Sequence, residues 1–448
     1  MRPSYMQTKP SIDPELKLRS ERVAEWYAPS RFGLFYHWGM FTGDGDSGAN
    51  ESNRPLYYDS IEAMEADAGD PDEVAKRLVK TATKTGAKYI IYTVFHTCDR
   101  FAIMYPTALD AFVYRSSVDY VGALIQEARK CDVKVILYLP GADPMHHIHS
   151  KGGPWLNEGV RDKASYAQML EDVVTELWQL HGDAIAGFWL DGMMPETLKL
   201  PAYIHSLSQH LIVTINNEVL HNISETDMGT TEFLTGPCDP PYNRPSGLIK
   251  AHPKFGHILP PKRDYNEDIP TCNGWWHQRN APFQDKISAL PYPKEPHFWV
   301  KEMVSSLGQR GIWNYVMGIG PLITGEVPPA YQEMMDAMQR FMSWGSESIY
   351  DTVGGEISGF QPGWWNNGSF GSVTVSTKDP RISYLHITTA PSTSILRVPH
   401  NGVEVASVTD LRTKRELKFK ALGCLDVEDI DWSEFDEFGH IVLKVVCS

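Results

Sequence analysis

Five apolar runs alternate with amphipathic helical patterns, and each run ends in a side chain that can hydrogen-bond; this constrains the fold more than any other feature of the chain. The runs lie at 31–36, 87–95, 133–138, 187–190 and 211–215, and their tips are His37, His96, Tyr138, Asp191 and Asn216 with Asn217. Between them, 73–84, 118–130 and 165–181 carry apolar residues at helical spacing, and 202–210 forms a shorter helical segment. In the third of these Met169, Leu170, Val173, Val174, Leu177 and Trp178 share one face. Almost uninterrupted apolar strands must be covered on both faces, so the alternation predicts a parallel sheet flanked by helices. A (β/α) barrel satisfies this and gathers its chemistry at the C-terminal ends of the strands. A doubly wound open sheet is the competing architecture, but no glycine-rich phosphate loop follows the first strand.

The 448 residues exceed one small domain and can bury a large core. From 222 to 291 the helical period fades and Pro and Gly accumulate, which predicts shortened later barrel units. A helix over 298–307, a strand over 311–317 and a helix over 329–344 restore the alternation. Beyond 359, short alternating runs such as 372–375 and 441–446 predict a small antiparallel β-sandwich. The expected division is therefore a (β/α)8-like barrel catalytic domain over 1–350 and a C-terminal β-sandwich over 351–448. The segment 41–70 reads as a long loop, a kind more often functional than idle.

A net charge of -15 with no basic block argues against nucleic-acid and anionic-membrane partners. Six cysteines show no CxxC pair and no finger spacing, so thiols without a metal or disulfide framework are expected. No segment approaches bilayer-spanning length, and the first fifteen residues contain no apolar signal core, which predicts a soluble chain of open compartment. Thirteen Trp and twenty Tyr supply faces that can stack on sugar rings.

Asp191 stands out chemically, because it ends the run Gly187-Phe188-Trp189-Leu190 beside a tryptophan and before Gly192. A turn-capping Asp-Gly is the plain alternative. Asp143, His146, His147 and His149 form a second cluster and motivate a metal-dependent hydrolase, yet neighbouring histidines on one loop rarely converge on zinc without ligands from elsewhere. The expectation is no metal and no cofactor.

The chain resembles the α-L-fucosidases, family 29 of the glycoside hydrolases, over most of 26–352. Phe32-Gly33-Leu34-Phe35 with His37-Trp38-Gly39, Gly86-Ala87-Lys88-Tyr89 followed by His96, Trp189-Leu190-Asp191-Gly192, Gly318-Ile319-Gly320-Pro321 and Ser346-Glu347-Ser348-Ile349-Tyr350 are similar, in order, to that family's motifs. The resemblance implies an irregular (β/α) barrel with a C-terminal β-sandwich, and a retaining exo-glycosidase in which Asp191 is the nucleophile. It also implies a carboxyl acid/base, first Glu267 and in reserve Glu232, and a sugar subsite lined by His37, Trp38, His96, Tyr138, Trp189 and Trp276. Trp189 is equally compatible with the barrel core. The implied partner is an oligosaccharide or glycoconjugate, and a homo-oligomer stays open. Two departures bear on the sugar: His96-Thr97-Cys98-Asp99 lacks the family's second adjacent histidine, and Pro55-Leu56-Tyr57-Tyr58 replaces its Glu-Trp pair. They leave room for a related α-L-glycoside, and for a sugar-binding homologue without turnover.

Overall fold

The computed structural model describes residues 21–42, 58–141, 155–216, 227–232, 263–267, 296–308, 314–354, 358–365 and 367–448. Strands β1 (Phe32–Tyr36), β2 (Tyr89–Thr93), β3 (Lys134–Leu139), β4 (Gly187–Leu190), β5 (Ile212–Asn216), β6 (Met228–Glu232), β7 (Arg263–Glu267) and β8 (Asn314–Ile319) each pair in parallel with the next. β8 pairs back with β1, from Phe32 opposite Tyr315 to Tyr36 opposite Ile319, so the strands run round in one ring. The N-terminal domain is thus TIM-like, as the alternation requires.

The crossovers after the first four strands are helical: α1 (Ile61–Ala68) and α2 (Pro71–Thr85), α3 (Tyr120–Lys130), α4 (Lys163–His181) and α5 (Leu200–Leu207). Local chemistry sets their ends. Asp70 caps α2 by accepting from the amide of Asp72, Pro71 occupies its first turn, and left-handed Gly86 stops it. Asp162 and Ser165 form a reciprocal capping box on α4. α1 corrects the reading of 41–70 as a loop throughout. Ser60 caps it, and Ile61, Met64 and Ala68 bury one face of an otherwise acidic segment. Helices α6 (Phe298–Leu307) and α7 (Gln332–Gly345) flank β8.

Side chains alternate across each strand, so every other residue enters the ring. Phe35, Tyr89, Ile91, Ile136, Tyr138, Trp189, Ile212 and Val316 form the inner cluster, whereas Phe32, Leu34, Tyr36, Ile90, Tyr92, Leu137 and Phe188 join the outer core under the helices. Gly33 belongs to the inner set, and a Cβ there would stand 2.4 Å from the Tyr89 ring, so only glycine lets that ring cross the floor. A π-helical turn, Val23–Tyr27, closes the end nearest the strand N-termini. Val23 and Tyr27 pack into the inner cluster, and Asn314 donates its amide to the Tyr27 carbonyl at 2.8 Å. Arg22 and His205 reach Asp227 at 2.8 and 2.9 Å, tying this plug and α5 to the segment before β6.

The C-terminal region holds two antiparallel sheets around a second core that contains Val373, Leu385, Leu396, Val427 and Leu443. One sheet has the order β10-β11-β12-β17-β14, namely Gly363–Trp364, Phe370–Ser376, Ile382–Thr389, Ile441–Cys447 and Val405–Asp410, with β9 (Thr352–Gly354) beside β11. The other has the order β13-β16-β15, namely Leu396–Pro399, Cys424–Val427 and Phe419–Ala421. The sandwich is anchored on the helical layer: Ser372 donates to the Val304 carbonyl and Thr374 to the Ser348 carbonyl, both at 2.7 Å. His386 and His440 are buried where the two layers meet. No helix among the described residues is long and apolar enough to cross a membrane.

Candidate active site

The inward alternation delivers His37, Tyr138, Asp191 and Asn216 to the C-terminal end of the ring. Leu139 stands opposite Leu190, and Leu190 opposite Ile215, so Asp191 emerges between β3 and β5. Its backbone is fixed there, with its amide donating to the Leu139 carbonyl at 2.9 Å and its carbonyl accepting from Gly141 at 3.1 Å. Its side chain is only partly buried. Tyr138 donates its phenol to Oδ2 at 2.6 Å, and Asn216 donates its amide to Oδ1 at 2.8 Å. Each carboxylate oxygen therefore accepts from a flanking strand, which fixes its plane.

Around this carboxylate the aromatic groups interlock. Tyr138 lies between His96, at 5.2 Å and 16°, and Trp189, at 5.3 Å and 23°. His37 stands 5.4 Å from His96 and 5.6 Å from Tyr138, ring centre to ring centre, and Phe35 supports it from below at 4.4 Å. Burial, and then the neighbouring charge of His96, hold the His37 imidazole well below the ordinary histidine range. It is neutral at working pH and can bond a hydroxyl without adding a cation to the site. Trp189 is 1% exposed in the inner cluster, and its indole N–H has no hydrogen-bond partner among the described residues. The structure thus brings together His37, His96, Tyr138, Trp189 and Asp191.

Trp38 is not brought to this group. Its ring is fully buried in the outer core against Tyr120 and Tyr92, with its indole N–H donating to the Ile323 carbonyl at 2.9 Å. The reason is strand period: adjacent to inward His37, Trp38 must face the helices. Glu232 and Glu267 end β6 and β7, so both backbones reach the same rim as Asp191. Trp276, Asp143, His146, His147 and His149 lie outside the described residues. Among the described residues no group of His, Cys, Asp and Glu is arranged to hold a metal ion. The departure after His96 is a 3-10 turn, Thr97–Asp99, in which the buried Asp99 folds back to accept from the His96 amide at 3.1 Å. Sequence reasoning placed Asn216 at a strand tip but gave it no role. Its signal was that same tip position, one strand from Asp191.

The family model for alpha-L-fucosidase matches residues 4–347. The chain belongs to that family. It is accordingly a glycoside hydrolase, and the family supports hydrolysis of fucosides. A Caenorhabditis elegans protein that carries the alpha-L-fucosidase name provisionally is 20% identical over 362 residues, covering 75% of this chain and 68% of that one. The Thermotoga maritima alpha-fucosidase structure superposes with a TM-score of 0.69 at 17% identity, covering 97% of this chain and all of that chain. A Bacteroides thetaiotaomicron family 29 α-L-fucosidase, described as a trapped covalent intermediate with 2-fluoro-fucosyl fluoride, gives 0.66 at 16% identity and covers 98% of both chains. At such identities the superpositions speak for the fold.

Proposed function

We propose that this protein is a retaining exo-glycosidase that hydrolyses α-L-fucosides, or a closely related α-L-glycoside, by double displacement. Asp191 attacks the anomeric carbon while the acid/base, Glu267 with Glu232 as the alternative, protonates the departing glycosidic oxygen. Water, deprotonated by the same glutamate, then attacks that carbon and releases Asp191 as a carboxylate. The catalytic unit is an irregular (β/α)8 barrel over 1–350, with the sandwich of 351–448 bracing it. One observation carries the reading: a carboxylate at the tip of an inner strand, both oxygens held by donors, beside the neutral imidazole of His37 and the uncharged rings of Tyr138 and Trp189. The trapped intermediate of the Bacteroides relative supports the same chemistry by kinship.

The acid/base must stand roughly 5 Å from the nucleophile in a retaining enzyme. Glu232 and Glu267 end β6 and β7 at the same rim as Asp191, which supports both as candidates. Mass spectrometry after incubation with activated 2-fluoro glycosides of L-fucose, L-galactose and L-glucose configuration tests the whole reading. A stable adduct on the peptide containing Asp191 is expected, and the sugar that labels fastest identifies the subsite. Folded protein that turns over an aryl fucoside yet labels at another residue refutes it. Glu267→Ala and Glu232→Ala separate the two acid/base candidates: the true one loses turnover of poor leaving groups far more than of activated aryl glycosides, and azide, which needs no general base to attack the glycosyl-enzyme, speeds turnover of the activated ones.

A further inference from the structure

The two donors to Asp191 differ in what they can do. Tyr138 carries an ionisable hydroxyl held in an aromatic stack, whereas Asn216 offers an amide N–H that neither gains nor loses a proton at any working pH. Asn216 is fully buried, and the sheet places it, not a loop: Ile215 lies opposite Leu190 on one side, and Asn216 opposite Thr230 on the other. Its 2.8 Å bond to Oδ1 therefore has little freedom to follow a rotating carboxylate.

We propose that Asn216 is a positioning residue for the nucleophile, setting the plane of the Asp191 carboxylate and favouring its departure from the glycosyl-enzyme. This rests on the reading of Asp191 as nucleophile. When Asp191 bonds to the anomeric carbon, its charge passes into a neutral ester, and a donor at Oδ1 gains less from the ester than from the free carboxylate. When water breaks that ester, the negative charge returns to the carboxylate and the amide stabilises it. Loss of the amide thus weakens the second step more than the first, apart from its effect on orientation.

The test uses the full chain and three variants, Asn216→Leu, Asn216→Ala and Asn216→Asp, with folding checked by circular dichroism and thermal unfolding. For the leucine and alanine variants kcat with an activated aryl α-L-fucoside is expected to fall roughly tenfold or more, the scale of one lost hydrogen bond to a charged group. KM should fall with it, and intact-mass measurement at steady state should show a larger glycosylated fraction than in the wild type. In the aspartate variant the introduced carboxyl can donate only while protonated. Its activity should therefore rise as pH falls to where the two carboxyls share one proton, moving the optimum to lower pH. A merely structural role would lower stability without changing the kcat-to-KM split or the pH optimum. Folded Asn216→Leu protein with wild-type kcat and no added intermediate, or an unshifted Asn216→Asp profile, overturns the inference while a 2-fluoro label on Asp191 leaves the nucleophile standing. A label elsewhere in the wild type overturns both.

Discussion

Tyr138→Phe isolates the other donor with little disturbance. The phenol bond to Asp191 is 2.6 Å long, within the short range of charge-assisted O–H···O bonds, and Tyr138 is 1% exposed, so bulk water does not replace the lost hydroxyl easily. The phenylalanine ring keeps the contacts with His96 and Trp189, both close to parallel, and with Phe35. Packing is retained and only the donor is removed. A hydrogen bond to a charged group contributes about 1.5–3 kcal/mol. At about 1.4 kcal/mol for each factor of ten, kcat should fall by roughly 10- to 150-fold, chiefly through the second step, in which the charge returns to Asp191. The assay is steady-state hydrolysis of an aryl α-L-fucoside by wild type and variant, with thermal unfolding measured in parallel. The melting temperature should stay within a few degrees. A kcat within twofold of wild type, in protein of unchanged stability, would refute the assignment of Tyr138 to the nucleophile's support.

Other perturbations test the frame. Asp227 is fully buried, and although burial raises its carboxyl, His205, Arg22 and the Val213 amide together hold it below the usual range. Asp227→Ala leaves Arg22 buried without that partner and should cost roughly 3–5 kcal/mol in denaturant unfolding; a loss below about 1 kcal/mol would contradict the ion cluster as the tie between plug and barrel. Its stabilisation is present above the unfolded carboxyl's pKa and should disappear as pH falls through the lower folded value. His386 and His440 are both pushed down to about 3, first by burial; then His440 adds to the shift of His386, and His297 and Lys301 to that of His440. Folded, they stay neutral while the unfolded chain protonates near pH 6.5, so stability should fall by about 1.4 kcal/mol per pH unit per histidine between roughly pH 6 and 3. A His386→Gln, His440→Gln double variant whose melting temperature declines as steeply over that range would show the histidines to be uninvolved. Gly187→Ala places a Cβ 2.2 Å from the Ile212 carbonyl oxygen between β4 and β5. It should destabilise by roughly 1–3 kcal/mol or prevent folding, and an unchanged urea midpoint would argue against this close approach.

The sequence alone determined β1 to β5 and the helices α2 to α5 between them, because each has a strong period or apolar run bounded by local stop signals such as Asp70, Asp162 and Gly86. It also singled out the strand tips His37, His96, Tyr138 and Asp191, since a polar residue ending an apolar run in a parallel sheet is delivered to one edge whatever the exact register. The two antiparallel sheets beyond residue 351 were legible from short alternating runs in the same way. Trp38 marks the first limit: the family resemblance grouped it with His37 in the sugar subsite, but strand pleating sends neighbours to opposite faces, and the ring joins the outer core. α1 was hidden because its acidic residues mask three buried positions that only packing reveals. β6, Met-Gly-Thr-Thr-Glu, and β7, Arg-Asp-Tyr-Asn-Glu, carry no apolar run at all. They are strands because β5 and β8 offer them backbone partners on either side, and ring closure satisfies hydrogen bonds that local propensity does not. Asn216 belongs to the same class. Its place at a strand end was readable from the chain, but its amide meets Asp191 only because two strands pair in one register, and that register is a property of the tertiary structure.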